Sequence, residues 1–172
     1  MTKLVQAEPR DMVASGGPAF RQAMAQVASA VHVVTTQGPA GRAGMTATSV
    51  APVSDDPPTM LVCIEAASRT LAAIEASGAF CINTLGDQSI ELAEIFARRR
   101  DLEGEARFAT ADWITLATGA PVLADALVAF DCRLIDVKHV ATHRILIGEV
   151  VAMGGVGTGA GLVYRRRGFS SA

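Results

Sequence analysis

Apolar positions along the chain fall into short blocks separated by turn residues, and the period of the blocks changes several times. Phe20, Met24, Val27 and Val31 recur at helical spacing behind Pro18, which suits a first helical turn, so an amphipathic helix is predicted over residues 18–29. From Val31 to Gln37 the run becomes β-branched and predicts a strand. Gly38-Pro39-Ala40-Gly41 is a turn, and residues 44–53 predict a second strand that makes a hairpin with the first. Residues 59–65 predict a third strand, buried on both faces because its apolar residues are continuous. Ser68-Arg69-Thr70, then Leu71, Ile74 and Gly78, mark a short helix with a hydroxyl N-cap and a glycine C-cap. A strand at 80–85 and a helix at 88–98 follow, the helix carrying Leu92, Ile95 and Phe96 on one face. Residues 126–137 and 144–153 predict two long strands joined by a turn at 138–142, and 162–165 a last short one. These strands succeed one another through turns without βαβ alternation. The fold they predict is mainly β (α+β): an antiparallel barrel with a few peripheral helices. Residues 1–17 show no period and end in Ser15-Gly16-Gly17, which predicts a mobile arm ahead of one domain over 18–172.

Composition narrows the function classes. Half of the 172 residues are hydrophobic, only 19% are charged, and mean hydropathy is +0.33. Fifteen basic against 17 acidic residues leave a net charge of −2, so there is no basic field for nucleic acid. The charge-free run from Gln22 to Gly41 is interrupted by Gln26, Ser29, His32 and Pro39 and is no membrane span. Glu8, Arg10 and Asp11 stand where a signal peptide needs apolar residues, which points to a soluble, cytoplasmic chain. Cys63, Cys81 and Cys132 are widely spaced in apolar sequence and read as buried reduced thiols. An apolar chain of this size with so few charges also implies a surface hidden by a partner.

Several motifs fall away on inspection. The run Gly154 to Gly161 contains a formal G-x-G-x-x-A, but the eleven residues after it read as a short strand, not the helix and second strand of a dinucleotide fold. His139 and His143 are four apart in a turn entering a strand, with no carboxylate or thiol pattern to complete a metal site. Arg98-Arg99-Arg100 reads as a solvated helix end, followed directly by Asp101, Glu103 and Glu105. Two stretches carry more chemistry. Gly44-Met45-Thr46-Ala47-Thr48-Ser49-Val50 places small residues and three hydroxyls on a strand, where a flat ligand can approach the backbone. Ser68-Arg69-Thr70 opens a helix, where unpaired N–H groups, the dipole and a forked guanidinium suit an anion. Each alone is an ordinary strand or an ordinary cap; together they suggest a planar, phosphate-bearing ligand.

These residues also carry a family resemblance. Phe20 to Met24, Val33 to Thr36, Gly44 to Val50, Asp56-Pro57-Pro58, Leu61 to Ile64 and Phe80 to Leu85 occur in a characteristic order. So do Leu92 to Phe96, Arg107-Phe108, Gly119 to Leu123, Phe130-Asp131-Cys132 and His143 to Val150. Over about residues 18–169 the chain resembles the short flavin reductases of the FMN-binding split-barrel family, the reductase components of two-component flavin monooxygenases. The resemblance implies a homodimeric Greek-key split β-barrel that binds FMN or FAD, takes hydride from NADH or NADPH, and passes reduced flavin to a partner monooxygenase. It implies that Met45, Thr46, Ala47, Thr48 and Ser49 lie along the flavin, with Cys63 on the neighbouring strand and Phe96 nearby. Ser68, Arg69 and Thr70 would hold the phosphate, Tyr164 and Arg167 would belong to a tail closing over the site, and His143 would be the catalytic histidine. Ala141-Thr142 precede that histidine where many members have Gly-Asp, and Phe169 stands where a Tyr is usual. A non-catalytic flavin-binding or electron-transfer protein on the same barrel is the alternative.

Overall fold

The computed structural model describes residues 16–155 and 157–172, so residues 1–15 of the predicted arm lie outside the described residues. Helix α1 (Gly17–Met24) leads into strands β1 (Ser29–Ala30), β2 (His32–Gly38), β3 (Gly41–Ala47), β4 (Val50–Asp55) and β5 (Pro58–Glu65). Helix α2 (Arg69–Ser77), strand β6 (Ala79–Thr84), a 3₁₀ turn at Asp87–Ser89, and helices α3 (Ile90–Phe96) and α4 (Glu105–Phe108) follow. Strands β7 (Trp113–Thr115), β8 (Pro121–Leu123), β9 (Val128–Val140), β10 (His143–Gly154), β11 (Leu162–Arg165) and β12 (Gly168–Ser171) complete the order. No helix among the described residues is long and apolar enough to cross a membrane.

Seven antiparallel strands form the main sheet in the order β3-β2-β6-β9-β10-β5-β4. Its two edge strands, β3 and β4, are consecutive in the chain and only Thr48 and Ser49 separate them. The sheet therefore curls until its edges come together, as the twist of a many-stranded sheet allows. The Cys63 N–H donates to the Ser49 carbonyl at 2.9 Å and ties this crossing to β5. The result is an antiparallel barrel split along one seam, the architecture expected from the sequence.

Here the single strand predicted over 44–53 is corrected. Thr46 pairs with Val33 on β2, whereas Val50 pairs with Val62 on β5, so two strands serve opposite edges and the chain breaks between them. The predicted helix over 18–29 is also shorter. The C-terminal hairpin claims the carbonyls beyond it, with the Arg166 N–H donating to Ala25 and the Arg165 Nε to Gln26, and Ser29 then pairs with Tyr164. Strands β7, β8 and β12 and helix α4 were not expected from the pattern, because each spans only three or four residues.

Strand β2 explains how one sheet supports two cores. Val33 packs with Leu85, Phe96, Phe108 and Leu123 beneath the helices, and Val34 packs with Val62, Ile64, Ile74, Phe80 and Leu146 inside the barrel. Successive side chains on a strand point to opposite faces, so both faces of β2 are buried. Strand β5 differs from its expectation: Val62 and Ile64 are fully buried, but Leu61 and Cys63 on the other face are only half-buried. Cys81 and Cys132 are buried thiols, and burial pushes Cys132 up to about 12.

His32 adds a pH-dependent term to this core. It is buried, with Nδ1 3.1 Å from the Thr84 hydroxyl, and burial lowers its pKa from 6.5 to about 4. The unfolded chain takes up this proton near pH 6.5 and the folded chain only near 4, so stability is intact above 6.5 and falls as pH drops toward 4. At pH 5 denaturant unfolding should show a loss of about 2 kcal/mol relative to pH 7.5 from this group. A His32→Gln variant should lose that dependence, and an equal pH response in both proteins would remove His32 as its source.

Candidate functional site

The anion end is built by α2. Ser68 is its N-cap in extended backbone, its Oγ accepting the Thr70 N–H at 3.2 Å, and Gly78 ends the helix in the left-handed region at φ 70°. A helix leaves its first N–H groups without intrahelical partners, so this end presents donors and a positive dipole beside Arg69. The Ser68 hydroxyl also faces the Met45 sulfur at 3.7 Å, which brings the helix start against β3.

One cavity of about 380 Å³ lies at this junction, and Met45, Thr46, Ser68, Arg69, Thr70 and Phe96 all line it. Gly44 forms its floor: a Cβ there would lie 2.8 Å from the Phe96 ring, so only glycine lets ring and backbone meet. The Thr46 hydroxyl donates to the Ala93 carbonyl at 2.6 Å, which leaves its oxygen as an acceptor toward a ligand. Ala47 faces the barrel interior, so at that position the backbone is what a ligand could meet. A low wall of backbone and small side chains, closed at one end by a hydroxyl cap and a guanidinium, fits a flat ligand with an anionic tail.

The structure groups other expected residues elsewhere. Thr48 and Ser49 line a separate cavity of about 650 Å³ with Tyr164 and Arg167, closed by Phe20 and Met24 of α1. Tyr164 accepts from Arg99 Nη2 at 3.1 Å and packs against Phe169. Arg166 and Arg167 form the tip of the β11–β12 hairpin with φ values of 50° and 63°, the positive-φ turn that matches strand twist. Cys63 lines neither cavity; its backbone meets Ser49, and burial raises its thiol pKa.

His143 opens β10 as an exposed residue and is not among the residues that line the first cavity. It pairs in register with Glu65, which lines that cavity, and with Val140 on β9. Its Nδ1 is 2.9 Å from the Thr142 hydroxyl, and the Thr142 carbonyl accepts the Ala66 N–H at 2.9 Å. Thr142, a departure in the sequence, is thus the residue that orients the imidazole and leaves Nε2 for another partner. His139 pairs with Arg144, one register position away from His143, so the two imidazoles belong to opposite faces of the sheet. Among the described residues no cluster of three metal-ligating side chains exists.

Two site residues escaped the reading of the sequence. Arg98, taken for a solvated helix end, lines the 380 Å³ cavity, and Arg107 donates from Nη1 to the Gly44 carbonyl at 3.1 Å from beneath the site. Arg100 is the member of that basic run that pairs with a carboxylate, Glu94. The signal for Arg98 was its place just after a helix end, where glycine is the usual residue.

The chain is similar to known proteins in sequence and in fold. A sequence model of the family described as flavin reductase like domain matches residues 24–172. The protein described as FMN reductase (NADH) RutF 2 of Methylorubrum extorquens (strain PA1) is 50% identical over 164 residues, 95% of this chain and 92% of the relative. Among solved structures, ycdh of Haemophilus somnus 129pt is 44% identical with a TM-score of 0.87, covering 91% of this chain and 99% of its own. Nitrilotriacetate monooxygenase component B from Mycobacterium thermoresistibile is 29% identical with a TM-score of 0.83, covering 90% and 86%.

Proposed function

Because the chain belongs to the flavin reductase like domain family and is an oxidoreductase of it, we propose that it oxidises NADH to reduce FMN or FAD and releases the reduced flavin to a partner monooxygenase. One observation carries this reading. The Gly44–Thr46 wall, Phe96 and the Ser68–Thr70 cap, distant in sequence, line a single cavity, with Glu65 at its rim, and its small-residue wall and cationic end support a flavin nucleotide as ligand. The flavin, when bound, supplies the hydride-accepting chemistry, and no strong general acid is required of the protein. The chain's own task is to bind and orient. Ser68, Arg69 and Thr70 hold the phosphate through the helix start and a charge-assisted contact. Met45 and Thr46 with the backbone of Ala47 border the ring system, and Phe96 limits how deep it sits. His143, fixed by Thr142, borders the face from which the nicotinamide approaches.

Thr48, Ser49, Cys63, Tyr164 and Arg167 complete the site in a homodimer. Support comes from the apolar side chains left at the surface: Phe20 and Met24 beside the second cavity, and Ile135, Val140 and Met153 on β9 and β10. Such exposure on a small chain is the mark of a covered face. The test is direct. Purified protein, sedimenting as a dimer, is mixed with FMN or FAD, and absorbance loss of NADH and of NADPH is followed separately. Flavin-dependent NADH oxidation is expected. No oxidation of either nucleotide would sink the reductase reading, and a yellow but inactive protein would favour the non-catalytic binding module.

A further inference from the structure

Arg69, Arg98 and Arg107 converge just beyond the anion end of the flavin cavity, and among the described residues none of them pairs with a carboxylate. Together with Arg100 they line a recess of about 190 Å³, to which Asp101 and Glu103 also contribute. Arg107 is only 7% exposed, its guanidinium lies 5.2 Å over the Phe96 ring, and its Nε has no hydrogen-bond partner. Burial and the charges of Arg98 and Arg69 lower its pKa, with Glu103 opposing. A buried guanidinium with an unused donor beside two like charges is costly unless an anion completes the set.

Arg98 adds an independent sign. Its N–H donates to the Ile95 carbonyl and that of Arg99 to the Glu94 carbonyl, the paired hydrogen bonds of a helix end that normally places glycine at this position. Arg98 instead sits at φ 57°, a conformation that costs an L side chain energy and is kept where the side chain is needed. The same three arginines open onto a second cavity of about 550 Å³. Its walls are the Gly38–Ala43 turn on one side and Ala72, Ala73 and Ala76 of α2 on the other, a slot of small residues to which Arg42, paired with Glu105, adds the one large side chain of the turn.

Resting on the reading of the Ser68–Thr70 cavity as the flavin mononucleotide end, we propose that Arg98 and Arg107 bind a second phosphoryl group and that the slot between the Gly38–Ala43 turn and α2 takes an adenosine. The site is then built for flavin adenine dinucleotide. Flavin fluorescence quenching measures Kd for FMN and FAD on the full chain, without turnover. FAD should bind at least about tenfold tighter than FMN, since hydrogen bonds to charged groups are the stronger kind. Arg98→Ala should lower the Kd(FMN)/Kd(FAD) ratio about tenfold. Because Arg107 is buried and its replacement could unfold the chain, Ala76→Phe, on the exposed face of α2, provides a second reading: it blocks the slot and should weaken FAD while sparing FMN. Equal affinity for both flavins, with a ratio unmoved by both variants, overturns this assignment and leaves the reductase reading standing. Failure of either flavin to bind overturns both. If Arg98→Ala weakens competition by NADPH and not the binding of FAD, the arginines serve the nicotinamide nucleotide and the FAD assignment is likewise overturned.

Discussion

Replacing His143 by alanine should slow flavin reduction about 100-fold while leaving flavin affinity within about twofold, the signature of lost positioning at a reacting face. The imidazole is exposed at the start of β10, so its removal leaves the cores untouched and the variant should fold normally. The Thr142 hydroxyl at 2.9 Å engages Nδ1, and the hairpin backbone is held by the Ala66-to-Thr142 hydrogen bond. Thr142→Val retains the imidazole but frees its ring, so it should lose about tenfold, between wild type and His143→Ala. Stopped-flow reduction in a single turnover, with flavin Kd measured alongside, separates the two effects. Unchanged single-turnover reduction in His143→Ala would remove the residue from the mechanism, and a parallel rise in flavin Kd would move it into the flavin site instead.

Asn83→Leu should be the most damaging conservative change to the fold, at about 4 kcal/mol of stability and a fall of about 10 °C in Tm. Asn83 is fully buried on β6 and its amide joins three segments. Nδ2 donates to the Val33 carbonyl at 2.9 Å and to the Thr35 hydroxyl at 3.1 Å, and Oδ1 accepts the Leu123 N–H at 2.7 Å. Leucine keeps the branching of asparagine but its methyl groups are bulkier, so the loss combines unmet hydrogen bonds at buried sites with crowding of the core. The effect reaches the site because Val33 and Thr35 are the register partners of Thr46 and Gly44 on β3. Denaturant unfolding of the two proteins gives the difference, and a change below about 0.5 kcal/mol would show that water replaces the amide.

How much of this was legible in the sequence depends on the distance between the residues involved. Ser68 as an N-cap and Gly78 as a C-cap were readable because capping is decided within one helical turn. Strands β2, β6, β9 and β10 were readable because period and β-branching are local. The break at Thr48–Ser49 was not, since either pairing satisfies the local pattern and only the closing of the sheet makes β3 and β4 opposite edges. Arg98 was misread for a related reason. A basic residue after a helix end is usually solvated, and what distinguishes this one is a cavity assembled from β3, α2 and the α3–α4 connection.

By itself, then, the sequence determined the longer strands β2, β5, β6, β9 and β10, where α2 begins, and that a small-residue stretch and a helix start suited to an anion both exist. The tertiary structure alone decided that they share one cavity and that Phe96 closes it against Gly44. The physical reason is that propensity and capping act over a few residues, whereas a site joining Gly44, Ser68 and Phe96 exists only once a seven-stranded sheet has curled upon itself.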